Sequence, residues 1–150
     1  MSTTILRTIC ELNKETLEHL ELRYDKDTLR EESRIIMQEF GLSNFPNLKT
    51  FTLKFNKGHW NDELVDYLNS ESNTLISLNL ISNFMNPLDL TNVCKSLINC
   101  KYLERIDFSH NVINESSILE IKKYISYTHT IKELNFQNCY ISSRLATFLL

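Results

Sequence analysis

Glycine and proline are almost missing from this chain, with only Gly41, Gly58, Pro46 and Pro87 among 150 residues. Without a glycine cluster there is no Gly-rich loop to cradle a phosphate, and so few breakers argue against long disordered linkers. Cysteine is sparse too. Cys10, Cys94, Cys100 and Cys139 are too scattered for a disulfide scaffold, and the six-residue step from Cys94 to Cys100 suits a zinc knuckle poorly; they read as reduced thiols in or near a core. No run of about 18 apolar residues is present, so no membrane insertion is expected. The opening stretch MSTTILRTICELNKE lacks the charged-then-apolar layout of a signal peptide. An excess of one charge is also lacking. The formal net charge is -3, with both signs mixed along the chain, and no basic stripe marks a nucleic-acid partner. A reducing, cytoplasmic setting is the expectation, and 42% hydrophobic residues suffice for the core of one domain.

What is present is a recurring spacing. LERIDFSHNVI, residues 103–113, fits L-x-x-L-x-L-x-x-N-x-L, with Ile106, Phe108 and Ile113 in leucine positions. LISLNLISNFM from Leu75 and IKELNFQNCYI from Ile131 repeat it, and LKTFTLKFN from Leu48 is a fourth copy. These starts lie 27, 28 and 28 residues apart. Read as a strand, the copy at Leu103 sends Ile106 and Phe108 to one face and Arg105, Asp107 and Ser109 to the other. The Asn after each strand, at Asn56, Asn83 and Asn111, is expected inside the turn, pairing backbone groups that the bend strands. Cys139 takes that place in the last copy, where a weaker thiol partner predicts a looser ladder.

Between the strands, three-four spacing predicts helices. Leu90, Val93 and Leu97 form one stripe, and Ile118, Ile121 and Ile125 the equivalent stripe one period later. Asn86-Pro87 and Asn114-Glu115 supply cap chemistry just before them. A strand-turn-helix unit cannot bury both its strand face and its helix stripe alone, so neighbours must stack.

On these residues the chain resembles leucine-rich repeat proteins, and its 28-residue period with helical returns resembles their ribonuclease-inhibitor type. The resemblance implies an α/β fold: a short horseshoe solenoid of four to five repeats with a parallel inner sheet and outer helices. The chain is then one domain over residues 1–150, with an N-terminal helix over 1–16 and repeats starting near 17, 48, 75, 103 and 131.

The N-terminal helix has Thr3 or Thr4 as its expected cap, and Ile5, Ile9 and Leu12 mark its apolar stripe. LEHLELRYD from Leu17 reads as a degenerate first copy, and the helix predicted over 27–40 is stopped by Gly41. In the second copy Lys57-Gly58-His59 replaces the usual turn, and Trp60 begins the stripe continued by Leu64 and Leu68. The fifth unit is truncated, so its C-terminal end, finishing in Phe148, Leu149 and Leu150, is expected to be covered by further chain or a partner.

The wet face of the sheet is the candidate surface for a protein partner. Its grid comprises His19, Glu21, Arg23 and Tyr24; Thr52, Lys54 and Phe55; Asn79 and Ile81; Arg105, Asp107 and His110; and Asn135 and Gln137. By their positions in the copies Tyr24, Phe55, Ile81 and His110 fall toward one border, with Arg23 and Lys54 beside them and Arg105 across the grid; aromatic and Arg side chains are what interfaces favour as anchors. A Ser/His/Asp set can be drawn from Ser77 or Ser109, His110 and Asp107, but an open sheet offers neither burial nor an oxyanion hole. No catalytic, metal or cofactor site is expected. The resemblance implies a non-catalytic binding module or a piece of a larger scaffold. The alternatives are a GTPase regulator of the Ran GTPase-activating type and a structural subunit of a large assembly.

Overall fold

The computed structural model describes residues 3–23, 41–54, 61–141 and 147. Outside them lie the helix expected over 27–40, Asn56, the Lys57-Gly58-His59 turn, Trp60 and the terminal Phe148 to Leu150. Helix α1 (Thr3–Asn13) leads into strand β1 (His19–Arg23). Then come β2 (Thr50–Lys54), α2 (Asn61–Asn69), β3 (Ser77–Ile81) and α3 (Pro87–Ser96), followed by β4 (Arg105–Asp107), α4 (Glu115–Tyr127) and β5 (Glu133–Asn135). Short 3-10 turns at Leu42–Asn44 and Leu97–Asn99 precede β2 and β4.

The strands form one parallel sheet in chain order, β1 through β5. His19, Thr50, Ser77, Arg105 and Glu133 pair in succession, so the segments two residues upstream, at Leu48, Leu75, Leu103 and Ile131, lie side by side and point the same way. Parallel neighbours need a crossover, and α2 and α3 supply those after β2 and β3. Alternation then does the sorting: Leu22, Phe51, Leu53, Leu78, Leu80, Ile106 and Phe108 are buried against one face. Leu64 and Leu68 from α2, Leu90 and Val93 from α3, and Ile118 and Ile121 from α4 complete the same core.

The turn asparagines tie the rungs together. Asn83 Nδ2 donates to the Leu53 carbonyl at 2.9 Å, and Asn111 Nδ2 donates to the Leu80 carbonyl at 2.5 Å. Asn111 Nδ2 also reaches the Phe108 and Ser109 carbonyls. Cys139 occupies the equivalent place, its thiol 3.0 Å from the Phe108 carbonyl. The starts of α3 and α4 are closed as their sequence suggests: the Asn86 side chain accepts from the Asp89 N–H with Pro87 in the first turn, and the Asn114 side chain accepts from the Ser117 N–H. Gly41 sits at φ 82°, a left-handed conformation that favours glycine.

Two expectations about stripes fail. Leu97 is buried, but its counterpart Ile125 is 40% exposed and Tyr124 is buried instead. The reason is local geometry. Leu97 lies in a 3-10 turn, whereas α4 remains α-helical to Tyr127, which leaves the third residue after Ile121 facing inward. The Tyr124 hydroxyl donates to the Cys100 carbonyl at 3.2 Å, so a phenol is accommodated there. In α1, Ile5, Ile9 and Leu12 are exposed and the helix turns Cys10 to the core. That helix ends at Asn13, whose side-chain amide donates back to the Ile9 carbonyl. In the last rung Ile131, Leu134, Phe136, Cys139 and Ile141 are only partly buried, whereas Leu103, Ile106, Phe108 and Ile113 are buried one period earlier.

Candidate partner-binding face

Because every second strand residue is used by the core, the others form rows across the opposite face. Strand pairing defines a first row of His19, Thr50, Ser77, Arg105 and Glu133, and a second of Glu21, Thr52, Asn79, Asp107 and Asn135. Arg23, Lys54 and Ile81 begin a third, which the 28-residue step continues through Ser109 to Gln137. Ile81 therefore stands with Arg23 and Lys54, one residue before His110, and does not share a border row with it. Tyr24 and Phe55 lie outside the described residues.

Hydrogen bonds between and within rungs fix much of the middle row. Asn79 Nδ2 donates to Thr52 Oγ1 at 2.9 Å, Ser77 Oγ donates to Asn79 Oδ1 at 3.3 Å, and Asn135 Nδ2 donates to Asp107 Oδ2 at 3.0 Å. Thr52 is itself 7% exposed, so it supports Asn79 and offers little surface of its own. Lys54 Nζ lies 3.1 Å from Glu21 Oε1, and Arg23 Nε lies 3.8 Å from the same oxygen. Arg105 leans toward Glu104 at 3.9 Å. The resulting face is polar and mixed in sign, with Arg23, Lys54 and Arg105 set against Glu21, Asp107 and Glu133.

Cross-rung ion pairs also line the entry to the strands. Lys49 beside Glu18 and Lys132 beside Glu104 hydrogen-bond those carboxylates and hold them below the usual carboxylate range. Such exposed pairs set register more than stability.

The Ser/His/Asp set is not assembled. Asp107 Oδ1 accepts the Ser109 N–H at 2.7 Å and its Oδ2 accepts from Asn135. His110 is exposed, with Nε2 3.5 Å from the Asn138 amide, and the Ser77 hydroxyl donates to Asn79 Oδ1. His110 also has a structural task that the motif did not reveal. Ser82, His110 and Asn138, 28 residues apart, all adopt left-handed φ of 54–60° at the turn into the Asn or Cys position. Asn and His enter that region more readily than most side chains, which is the one signal the sequence carries for it.

The thiols are chemically quiet. Burial pushes Cys10, Cys94 and Cys139 above the ordinary thiol value and Cys100 up to about 11, so little thiolate is present at neutral pH.

A parallel sheet with core-facing helices, repeated at this period, defines a leucine-rich repeat solenoid. Its fold is similar to that of a solved tropomodulin C-terminal domain from Caenorhabditis elegans, with a TM-score of 0.76 and 14% sequence identity, covering 99% of this chain and 89% of that one. At that identity the likeness concerns architecture alone. No family model and no curated protein sequence matches the chain. No helix among the described residues is long and apolar enough to cross a membrane.

Proposed function

We propose that this chain is a non-catalytic, cytoplasmic protein-interaction module of the ribonuclease-inhibitor-like repeat type, gripping a protein partner on the polar face of its sheet. The observation that carries this reading is the cross-rung bonding of that face: Asn79 on Thr52, Asn135 on Asp107 and Lys54 on Glu21 hold polar side chains in set positions before any partner arrives. Pre-ordered side chains lose less entropy on binding, which is where a broad, shallow surface gains its affinity. The mixed charge suits a protein surface of alternating sign better than a polyanion.

The test is reversal of charge at Lys54→Glu and Arg105→Glu in the full chain used as bait in its own cells. Capture of a discrete partner is expected to fall while helicity and melting stay as they were. Unchanged capture by a folded double variant removes this face from consideration. Stimulated GTP hydrolysis across a panel of small GTPases would replace the reading with that of a GTPase regulator.

A further inference from the structure

One period after another, a large apolar side chain stands outside the core just past the turn Asn or Cys. Phe84, Val112 and Tyr140 are 65%, 54% and 82% exposed, and each follows its neighbour by 28 residues. They lie on adjacent rungs. The Ser82 N–H donates to the Ser109 carbonyl and the Asn83 N–H to the Asn111 side chain, while Val112 and Tyr140 form a parallel bridge. Scattered exposed hydrophobics need no explanation, but a row of them on adjacent rungs marks an interaction surface. Phe84 adds a second feature: its φ of 48° is an unusual conformation for a bulky aromatic, a kind of strain that concentrates at functional positions.

Among the described residues that flank this rim in the chain, the Asp, Glu, Lys and Arg charges are of one sign. Asp89 and Glu115 occupy the first turns of α3 and α4, which begin three residues after Phe84 and Val112 in the chain. Among the described residues of 82–89, 109–116 and 137–141 there is no Lys or Arg. Those carboxylates suit helix N-termini, and they also set the field that a partner meets. An anionic membrane surface is disfavoured by that field, whereas Lys and Arg flanking an apolar segment are favoured.

We propose that the Phe84–Val112–Tyr140 rim is a second docking surface, which takes an apolar protein segment flanked by Lys or Arg. This surface is separate from the polar sheet face, and neither reading depends on the other.

A phage-displayed library of random dodecapeptides is selected on the full chain, and the enriched peptides are synthesised. Their affinities are then measured by fluorescence anisotropy. The expected peptides carry aromatic or aliphatic residues flanked by Lys or Arg. Their binding falls at least about tenfold with Phe84→Ser/Val112→Ser/Tyr140→Ser, the loss expected of exposed anchors. It also weakens with Glu115→Lys and is unmoved by Lys54→Glu/Arg105→Glu. If the triple variant does not fold, Phe84→Ser and Glu115→Lys alone decide. Peptides without the apolar-basic pattern, or equal binding to the rim variants, overturn the proposal. So does a chain dimer that these substitutions dissolve, or rim-dependent sedimentation with phosphatidylserine vesicles in place of peptide binding.

Discussion

Asn111 holds two rungs at once: its Oδ1 accepts the Asn83 N–H at 2.8 Å while its Nδ2 donates to the Leu80 carbonyl at 2.5 Å. Both partners belong to the preceding repeat. The turn is therefore wired across the stack as well as within itself.

Asn111→Ala removes that wiring and leaves buried carbonyls and an N–H without partners. A loss of roughly 2–3 kcal/mol is expected from the cost of stranding buried polar groups. Urea denaturation checks it, and a loss within experimental error would show that the ladder is ornamental.

Cys139→Asn runs the comparison in the opposite direction. The thiol already lies 3.0 Å from the Phe108 carbonyl, and the Asn111 N–H is aimed at its sulfur, tending to lower a pKa that burial raises. An amide at this position can donate to the first and accept from the second. Stabilisation of up to about 1 kcal/mol is expected, in the range of a net hydrogen bond. A fall in denaturation midpoint would mean that the last rung is too distorted to accept the ladder.

Tyr67 gives a prediction with a pH sign. Its hydroxyl is buried without a hydrogen bond among the described residues, and burial pushes its pKa up to about 12. Thr74 lies near enough to temper that rise, but its Oγ1 donates to the Leu48 and Pro46 carbonyls. A group raised in the folded state leaves stability untouched below its unfolded value, then removes it as pH climbs toward the folded one. Melting temperature is expected to be flat near neutrality and to fall between about pH 9 and 12, where the buried thiols and phenols ionise first in the unfolded chain, Cys100 and Tyr67 contributing roughly 2–3 kcal/mol each. Tyr67→Phe is expected to be neutral or slightly stabilising and to soften the fall above pH 10; a loss of more than about 1.5 kcal/mol would reveal a hydrogen bond at that hydroxyl.

Much of the fold was legible because one spacing recurs. Leu103, Ile106, Phe108 and Asn111 have counterparts at Leu75, Leu78, Leu80 and Asn83, and the strands pair in that register. Where spacing misled, geometry had changed between copies: Leu97 sits in a 3-10 turn and Ile125 in a continuing helix, so equal positions face different ways. The burial of Thr52 is not visible in a residue pattern, because it arises against Asn79 of the neighbouring rung, and the left-handed turn at His110 is signalled only by the readiness of Asn and His to enter that region. Phe84, Val112 and Tyr140 escaped notice for another reason. The motif treats their position as variable, so three apolar residues in register there had nothing to be compared with.

The polar sheet face is tested most directly by photocrosslinking in the protein's own cells, with a benzophenone side chain placed at Arg105 on that face and, separately, at Lys122 on α4. Both positions are exposed. A discrete protein adduct from position 105 and none from position 122 is the expected result. An adduct from position 122 alone, with both variants folded, would contradict the assignment of that face.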